Sequence, residues 1–308
     1  MTARAFAPAT VSNVACGFDV LGFAVDGPGD LVTAEERGEP GVSIAELTGD
    51  GGRLPREAAR NTAGVAALAL LERSGLAGRG VALSIVKRMP LASGLGSSGA
   101  SAVAAAVAVD ALFGLGLPRA ELLACALEAE RVACGSAHAD NAAPCLYGGF
   151  VLVRSNDPLE VVELPVPPGL CCALVRPHVE VETRRARLVL GDSVPLAATV
   201  RQCGNIGALV AALFRGDLAL LGRSLEDHVA EPKRAGLVPG FRAVQSAARS
   251  AGALGCSFSG SGPSIFALCA TAESAEKVAD AMKAALDQLA IPADRLVSQV
   301  GTRGAHLL

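Results

Sequence analysis

A glycine- and serine-rich segment that runs directly into an alanine-rich stretch constrains this chain more than any other feature. Residues 90–101 read PLASGLGSSGAS, and residues 102–109 continue as AVAAAVAV. Glycine permits positive φ and lets a ligand approach the backbone closely. The first turn of a helix offers unpaired N–H groups at the positive end of the helix dipole. The segment therefore predicts an anion site, most naturally for phosphate.

Two common phosphate loops do not fit this segment. A Walker A loop needs Lys and then Ser or Thr after its last glycine, whereas Ser97 and Ser98 follow Gly96. Gly94, Gly96 and Gly99 do meet the G-x-G-x-x-G spacing of dinucleotide-binding folds. The context differs, because residues 87–91 separate the loop from the preceding strand and no acidic residue closes a strand about twenty residues on. A flexible linker is the alternative, although linkers do not run straight into a strong helix former.

The composition of the chain excludes several classes of protein. With 308 residues and 51% hydrophobic content, the chain is long enough for two domains or one large one, with a real hydrophobic core. A net charge of −3 and 3% aromatic residues argue against nucleic-acid binding. No uncharged apolar run reaches membrane-spanning length, and no basic-then-apolar signal opens the chain, so we expect a cytoplasmic protein without membrane contact. The nine cysteines lack any C-x-x-C pair, which favours core thiols over metal ligands or disulfides.

The order of predicted elements indicates an α+β fold. In the first half we predict strands within 4–35, 42–44, 80–87, 150–154 and 160–164, helices over 61–76, 97–112 and 118–134, and a loop over 138–149. The proline-rich run 165–169 marks a domain boundary, giving domains 1–165 and 166–308. In the second half we predict strands at 172–176 and 297–300, and helices over 180–190, 194–214, 217–228, 239–251 and 274–289. Residues 257–268 are predicted to be a second glycine-serine loop that leads into a strand ending at 268.

Two polar clusters outside the phosphate loop are candidate binding or catalytic residues. Asn13 and Asp19 lie on a glycine-flanked turn between strands. They either cap backbone groups or hold an ammonium group or a hydroxyl. His138, Asp140 and Asn141 follow a predicted helix. They either form an Asx-type turn or orient a hydroxyl that attacks phosphorus.

The third cluster is cationic. It comprises Arg184, Arg185 and Arg187, together with Lys233 and Arg234. Such runs are commonly solvated faces. The alternative is an arginine pair that grips a carboxylate by bidentate hydrogen bonds.

With these motifs in hand, the chain resembles the homoserine kinases of the GHMP small-molecule kinase superfamily. Residues 90–100 are similar to the superfamily motif P-x-x-x-G-L-G-S-S-A, with Gly99 in place of alanine. Residues 7–22 resemble the motifs A-P-A-S-S-A-N and G-F-D-x-L-G, and residues 138–144 resemble H-x-D-N-x-A-P. Residues 187–190 resemble A-R-x-V-L-P without its proline, and residues 231–241 resemble E-P-x-R-x-x-L-I-P-G-F. Residues 260–264 match the third superfamily motif. Cys16 and Thr10-Val11 depart from the usual residues of the 7–22 motif.

The resemblance implies a fold and an activity. The fold is the two-domain GHMP kinase fold, with a ribosomal-protein-S5-domain-2-like N-terminal domain and a ferredoxin-like C-terminal α/β sandwich. The activity is transfer of the γ-phosphoryl group of ATP, with Mg²⁺, to the side-chain hydroxyl of L-homoserine in threonine biosynthesis. The family also implies a homodimer.

The resemblance further implies roles for individual residues. The phosphates would lie against the loop, and Ser98 and Glu130 would ligate Mg²⁺. The residues of that loop are Pro90, Leu91, Ala92, Ser93, Gly94, Leu95, Gly96, Ser97, Ser98, Gly99 and Ala100. Asn61 resembles a position at the adenine pocket, and Lys87 is a candidate neighbour of the nucleotide.

The amino-acid substrate would occupy the remaining polar residues. Its carboxylate suits Arg187 and Arg234, and its ammonium group suits Asp19. The further predicted contacts are Asn13 and His138 beside the ammonium group, and Asp140 and Asn141 as catalytic residues at the hydroxyl. Because no lysine adjoins 138–141 in the sequence, we predict attack without a dedicated strong base.

The sequence alone leaves two other functions open. One is a different GHMP kinase that acts on mevalonate, on a phosphorylated isoprenoid intermediate or on a sugar; the arginine pair and His-x-Asp-Asn argue against it. The other is a GHMP-fold protein that binds a ligand without catalysis. Such a protein is expected to have a broken loop or missing metal ligands, whereas Ser97, Ser98 and Glu130 are present.

Overall fold

The fold is α+β, as the sequence predicted. The computed structural model describes residues 1–135, 137, 139–301 and 303–308. Within these residues the strands are β1 Thr2–Ser12, β2 Leu21–Arg37, β3 Gly41–Thr48, β4 Gly80–Val86, β5 Phe150–Asn156, β6 Leu159–Leu164, β7 Cys171–Pro177, β8 Gly255–Phe258, β9 Ile265–Cys269, β10 Ala293–Gln299 and β11 His306–Leu307. The helices are α1 Thr62–Arg73, α2 Ser97–Phe113, α3 Arg119–Cys134, α4 Ala139–Tyr147, α5 Thr183–Leu188, α6 Leu196–Arg215, α7 Leu218–Ser224, α8 Glu231–Arg234, α9 Phe241–Ser250 and α10 Ala272–Asp287.

The larger sheet leads into the glycine-rich loop. Its main path runs β11-β1-β2-β4-β3, and β5 pairs with both β2 and β6. The long strand β2 serves two partners, because Leu21–Phe23 pair with β5 whereas Leu31–Arg37 pair with β4. β3 and β4 run parallel and are joined through α1. This sheet therefore delivers the end of β4 to the start of the loop that precedes α2.

Helix α2 is buried on almost every side. It packs against β1, β2, α1 and α3. Its alanines from Ala100 to Ala108 are fully buried, and their small side chains let neighbouring elements approach closely. A helix that is apolar all round belongs in a core, so the start of α2 and the loop before it are held firmly.

The smaller sheet carries the second glycine loop. Its order is β10-β7-β9-β8, with all neighbours antiparallel. Helices α9 and α10 pack against it, and the Phe241 ring stacks on Phe258 with centroids 3.8 Å apart. α10 begins with a capping box between Thr271 and Ser274. Residues 259–264 join β8 to β9 at the end of this sheet that meets the glycine-rich loop.

Two predictions about local structure were wrong. Residues 139–147 form the helix α4 rather than a loop, and residues 255–258 form the strand β8, whereas 257–258 were expected to be loop. Pro144 inside α4 lacks the N–H that would bond the Asp140 carbonyl. The helix forms nevertheless because it is packed against β1, β2, β5, α2 and α3, and this burial outweighs one lost hydrogen bond.

The last strand returns to the first sheet. The larger sheet uses strands from residues 2–164 and also β11, which pairs with β1, whereas the smaller sheet uses residues 171–299. The main hydrophobic cluster also includes Leu170, Cys172 and Leu174 from the second half of the chain. The division into domains 1–165 and 166–308 remains a prediction.

The described cysteines are free thiols. Seven are buried, namely Cys16, Cys125, Cys145, Cys171, Cys172, Cys256 and Cys269. Cys203 is exposed, which corrects the expectation of a core thiol at that position. The side chain of Cys134 lies outside the described part of the chain.

Candidate active site

A cavity of about 400 Å³ lies where the two glycine loops meet. Among the predicted site residues, those that line it are Asn13, Asp19, Asn61, Lys87, Leu91, Ala92, Ser93, Gly94, Gly96, Ser97, Ser98, Glu130, Asp140, Asn141, Arg187 and Arg234. Pro90, Leu95, Gly99 and Ala100 belong to the loop but not to this lining. His138 lies outside the described residues. The structure therefore brings most of the predicted phosphate, metal and substrate residues to one cavity.

The glycines of the phosphate loop are required by close contacts. Gly94 and Gly96 have φ of 78° and 70°, and Gly96 precedes the first residue of α2. A Cβ on Gly96 would lie 2.3 Å from Thr10 Oγ1, and one on Gly94 would lie 2.5 Å from the Ser259 carbonyl oxygen. The loop thus fits between β1 and the 259–264 loop only without side chains at these positions.

The second glycine loop holds the first by hydrogen bonds. Ser259 Oγ donates to the Gly94 carbonyl at 2.6 Å, and Ser264 N donates to the Ser93 carbonyl at 3.2 Å. The loop at residues 259–264 therefore packs against the phosphate loop. The two halves of the chain thus jointly define the loop's position.

Within the described part of the chain, several buried hydroxyls around the loop lack a hydrogen-bond partner. They are Ser93 Oγ and Ser97 Oγ within the loop, and Thr10 Oγ1, Ser12 Oγ and Ser264 Oγ beside it. A buried polar group without a partner is costly, and phosphate oxygens would satisfy such donors. Of the three hydroxyls beside the loop, Ser12 lines the cavity and was missed as a site residue, although it lies inside the 7–22 motif.

The Lys87 ammonium group is fully engaged beneath the loop. It donates to the Asp30 carboxylate, to the Ser97 carbonyl at 2.7 Å and to Ser101 Oγ at 2.8 Å. These three bonds use all three N–H donors of a lysine. Burial lowers the pKa of Lys87, and the Asp30 charge opposes that shift. Lys87 therefore anchors the first turn of α2, and its role as a nucleotide neighbour remains a prediction.

Asp30 and Asn61 act locally through their hydrogen bonds. Asp30, which the sequence analysis missed, is completely buried and also accepts from Ser101 Oγ and from the Arg88 N–H. Asn61 caps α1, because its Oδ1 accepts from Ala63 N at 3.0 Å and its Nδ2 donates to the Pro55 carbonyl. The expected place of Asn61 at an adenine pocket is not tested by these contacts.

Ser98 and Glu130 face each other across the start of α2 and the end of α3. Ser98 Oγ donates to Glu130 Oε1 at 2.7 Å, and Glu130 is 3% exposed. Burial raises the pKa of Glu130, while the Ser98 hydrogen bond and the Lys87 charge lower it. No group of three or more His, Cys, Asp or Glu gathers among the described side chains. A carboxylate and a hydroxyl beside a phosphate site suit Mg²⁺, which keeps few protein ligands and completes its shell with water and phosphate oxygens.

The turn between β1 and β2 forms the other end of the cavity. Asn13, Val14, Ala15 and Asp19 all have positive φ, which non-glycine residues rarely adopt. Asn13 holds the turn, since its Oδ1 accepts from Asp19 N at 3.0 Å and its Nδ2 donates to the Gly260 carbonyl at 2.8 Å. Strain of this kind persists only where the surroundings fix it, and it is common at functional sites.

The acidic and basic side chains of this end contact each other. Arg187 forms a bidentate ion pair with Asp19, with distances of 2.5 and 3.0 Å. Arg234 is 5% exposed and donates to the carbonyls of Ala186 and Gly260. Burial lowers the pKa of Arg234, and the Arg187 charge adds to that effect. The solvated-face alternative is therefore wrong for Arg234, whereas Arg184 and Arg185 are exposed as it predicts.

Asp140 is a buried carboxylate at the start of α4. It is 2% exposed, and among the described residues its Oδ1 has no hydrogen-bond partner. Burial and then the Asp19 charge raise the pKa of Asp140 to about 7. Gly22 lets β2 pass close to α4, since a Cβ there would lie 2.1 Å from the Asp140 carbonyl oxygen. Shifted pKa values are common at functional sites, and the role of Asp140 at the substrate hydroxyl remains a prediction.

Comparison with known proteins agrees with this architecture. The family model for the GHMP kinases N terminal domain matches residues 61–149, and that for the GHMP kinases C terminal matches residues 209–288. A solved mevalonate kinase from L. major, 18% identical, has the same fold with a TM-score of 0.71 over 96% of this chain and 95% of its own. A phosphate loop at the start of a buried helix, facing a second glycine loop, is thus the site of a GHMP kinase.

Relatives with higher sequence identity show which GHMP kinase family the chain belongs to. A protein of Chlorobium phaeobacteroides named homoserine kinase is 49% identical over 100% of this chain and 99% of its own length. One from Chlorobium phaeovibrioides with the same name is 50% identical over 99% of both. The crystal structure of homoserine kinase from Cytophaga hutchinsonii is 52% identical, with a TM-score of 0.97 over 100% of this chain and 97% of that one. The chain belongs to the homoserine kinase family of the GHMP kinases, which are phosphotransferases with an alcohol group as acceptor.

Proposed function

We propose that this chain transfers the γ-phosphoryl group of ATP to the side-chain hydroxyl of L-homoserine, yielding O-phospho-L-homoserine and ADP for threonine biosynthesis. The observation that carries the proposal is the pairing of two opposite chemistries in one cavity. One end offers a loop with unpartnered hydroxyls for phosphates, and the other offers Asp19, Arg187 and Arg234 for a zwitterion. The names of the relatives at 47–50% identity supply the substrate.

The substrate end of the cavity has one carboxylate, Asp19, and two guanidinium groups, Arg187 and Arg234. In the structure Asp19 and Arg187 neutralise each other, and each side chain is 39% exposed. An amino acid can exchange this pair for two new ones, with its ammonium on Asp19 and its carboxylate on Arg187 and Arg234. Asn13 fixes the Asp19 backbone and so sets the position of that carboxylate.

The chemical step follows from the placement of the hydroxyl. Its oxygen forms a bond to the γ-phosphorus in line with the leaving group, the bond from that phosphorus to the β–γ bridging oxygen breaks, and ADP departs. Asp140 and Asn141 would orient the hydroxyl, and Asp140, with a pKa of about 7, would accept its proton. Lys87 lines the same cavity, but its three donors are engaged elsewhere, so no lysine serves as the partner of Asp140. Phosphoryl transfer depends mostly on positioning and charge stabilisation, which needs no stronger base.

Ser98 and Glu130 are the proposed protein ligands of Mg²⁺. When bound, the ion supplies positive charge that neutralises the phosphate oxygens during transfer. The chain contributes a hydroxyl and a carboxylate that already bond each other at 2.7 Å. The hydroxyls of Ser93 and Ser97 would add hydrogen bonds to the phosphates.

An acceptor panel tests the proposed function directly. The purified chain is incubated with γ-labelled ATP and L-homoserine, and in parallel with L-serine, L-threonine, mevalonate and galactose. We expect labelled O-phosphohomoserine in the first reaction, with kcat/KM at least tenfold higher than for any other acceptor. A preference for mevalonate or galactose would assign the chain to another GHMP activity, and no transfer to any acceptor would favour a non-catalytic binding protein.

We propose that two copies of the chain associate through α6. The exposed face of this helix carries Leu196, Val200 and Phe214, which are 78%, 63% and 65% exposed, with Gly204 and Gly207 between them. Nothing in the described chain lies within 4 Å of a Cβ built on either glycine. Glycine in a helix interior costs about 1 kcal/mol relative to alanine, so these positions are explained best by a second helix that approaches closely.

The same face is complementary to itself. Its large side chains lie at the two ends of α6 and its small ones in the middle, so an antiparallel copy would pair Phe214 with Leu196 twice. Leu188, Val189 and Val194 are further exposed apolar side chains in the segment that leads to α6.

We further propose that the chain acts in the cytoplasm. Its buried free thiols are compatible with a reducing compartment. Among the described helices, α6 alone is long and apolar enough to cross a membrane, by length and composition only. The dimer proposed above gives its exposed face a protein partner instead.

A further inference from the structure

Phe18 is an aromatic residue that the hydrophobic core does not use. It lies in the turn between β1 and β2, next to Asp19, and is partly exposed. Within the described residues it belongs to neither hydrophobic cluster, and no other aromatic ring packs against it. A large apolar ring in such a place needs another explanation than core packing.

The neighbours of the Phe18 ring are two cations. Arg187 Cζ lies over the ring at 5.0 Å from its centroid, and Arg234 Cζ lies over it at 5.2 Å. The face of an aromatic ring is negative, and a guanidinium within about 6 Å of the centroid is attracted to it. One ring therefore contacts both arginines of the cavity.

The two guanidinium groups repel each other, and the Phe18 ring is a partner that they share. The Arg187 charge adds to burial in lowering the pKa of Arg234. Asp19 neutralises Arg187, whereas Arg234 is held by the neutral carbonyls of Ala186 and Gly260. When the ammonium group of a substrate binds Asp19, the Asp19 carboxylate neutralises Arg187 less completely. The Phe18 ring still contacts both arginines.

We propose that Phe18 is a positioning residue that holds Arg187 and Arg234 together on its ring, so that both can grip the carboxylate of the acceptor. This inference rests on the proposed function, in which the arginines bind that carboxylate. Phe18 itself touches the guanidinium groups and not the reacting atoms. Its side chain thereby sets the specificity of the site for acceptors that carry a carboxylate.

The first experiment replaces the ring without removing its bulk. Phe18→Leu keeps an apolar side chain but loses the negative ring face, and Phe18→Tyr restores that face. We expect Phe18→Leu to raise KM for L-homoserine roughly 5- to 30-fold, as the loss of two cation–π contacts implies. KM for ATP and kcat should change less than twofold. Phe18→Tyr should bring KM back to within about twofold of the parent.

Phe6→Leu is the matched control. Phe6 is also partly exposed, and its ring lies 5.5 Å from that of His306, outside the cavity. The same loss of an aromatic ring at this position should leave both KM values unchanged. If Phe18→Leu fails to fold, pentafluorophenylalanine at position 18 keeps the ring shape and reverses its quadrupole, and it should raise KM for homoserine alone.

A second acceptor separates positioning from a merely structural role. 3-Amino-1-propanol has the hydroxyl and the ammonium group of homoserine but no carboxylate. Phe18→Leu should lower kcat/KM for homoserine and leave kcat/KM for 3-amino-1-propanol within twofold, so the preference between them shrinks. An equal loss with both acceptors, or a KM for homoserine unchanged in Phe18→Leu, would overturn the inference.

Arg234→Leu distinguishes failure of this inference from failure of the proposed function. Where Arg234→Leu raises KM for homoserine and Phe18→Leu does not, the carboxylate site stands and the role of Phe18 is rejected. Where neither variant affects homoserine, or the parent does not phosphorylate it, the proposed function itself is rejected.

Discussion

Single residues in this protein differ in how far their chemistry follows from the sequence. The positive φ of Gly94 and Gly96 is expected from the residue type alone. The engagement of Lys87 by Asp30 is not, because the two residues are 57 positions apart and meet only through the pairing of β2 with β4. The pKa of about 7 at Asp140 likewise arises from burial in the folded chain and from the Asp19 charge.

Asp140→Asn should therefore change stability in a pH-dependent way. The pKa of Asp140 is higher in the folded chain than its ordinary value of 3.8, so its stabilising contribution is complete below that value and is lost as pH rises to about 7. Asparagine stays neutral and avoids this loss. The gain in unfolding free energy on substitution should be about 2 kcal/mol larger at pH 8 than at pH 5, measured by urea denaturation at both values.

The control for this prediction is Asp280→Asn, an exposed residue of α10. It should alter the unfolding free energy little at either pH. Activity provides a second readout, since Asp140→Asn should lower kcat at least ~100-fold if the carboxylate accepts the hydroxyl proton. A stability gain independent of pH would contradict the buried, shifted carboxylate.

At the scale of elements, the start of α2 is fixed by its neighbours and its end is not. Gly96 and Gly114 flank the helix, and both have positive φ, of 70° and 61°. A Cβ at Gly96 would lie 2.3 Å from Thr10 Oγ1, whereas nothing lies within 4 Å of a Cβ at Gly114. The two glycines thus share the left-handed backbone conformation and differ only in the space around them.

Gly96→Ala and Gly114→Ala form a matched pair. Both place alanine in the left-handed region, which costs about 1–2 kcal/mol. Gly96→Ala must in addition displace the Thr10 hydroxyl, which lies against the phosphate loop, so KM for ATP should rise at least tenfold. Gly114→Ala should lower the melting temperature but leave KM for ATP within twofold. Equal effects of both on KM for ATP would show that the loop is not held by its contact with Thr10.

The pairing of α2 with α3 allows a test of the proposed metal ligands. Glu130→Gln keeps the size of the side chain and its bond to Ser98 but removes the negative charge. We expect the Mg²⁺ concentration for half-maximal activity to rise at least tenfold and kcat to fall. Glu128→Gln, an exposed change on the same helix, should leave the titration unchanged. A Mg²⁺ titration identical in Glu130→Gln and the parent would reject Glu130 as a ligand.

For the whole molecule, the exposed face of α6 predicts the oligomeric state. Sedimentation velocity should give the parent twice the chain mass of 30.9 kDa at micromolar concentration. Phe214→Glu places a charge in the proposed interface and should give monomers. Leu289→Glu, a change at a residue that is 50% exposed on another surface, should remain dimeric. A monomeric parent, or a dimer that survives Phe214→Glu, would contradict the proposed use of α6.

The sequence by itself determined the order of most elements, the class of fold and the nature of the phosphate loop. These depend on local periodicity, on glycine conformations and on motifs that keep their spacing. The tertiary structure decided which charges meet. Residues 19 and 187 pair across 168 positions, Asp30 engages Lys87, and both arginines lie over Phe18. It also decided that residues 139–147 are helical, because packing against five neighbouring elements outweighs the hydrogen bond lost at Pro144. Contacts between residues distant in sequence depend on strand pairing and burial, which no local pattern encodes.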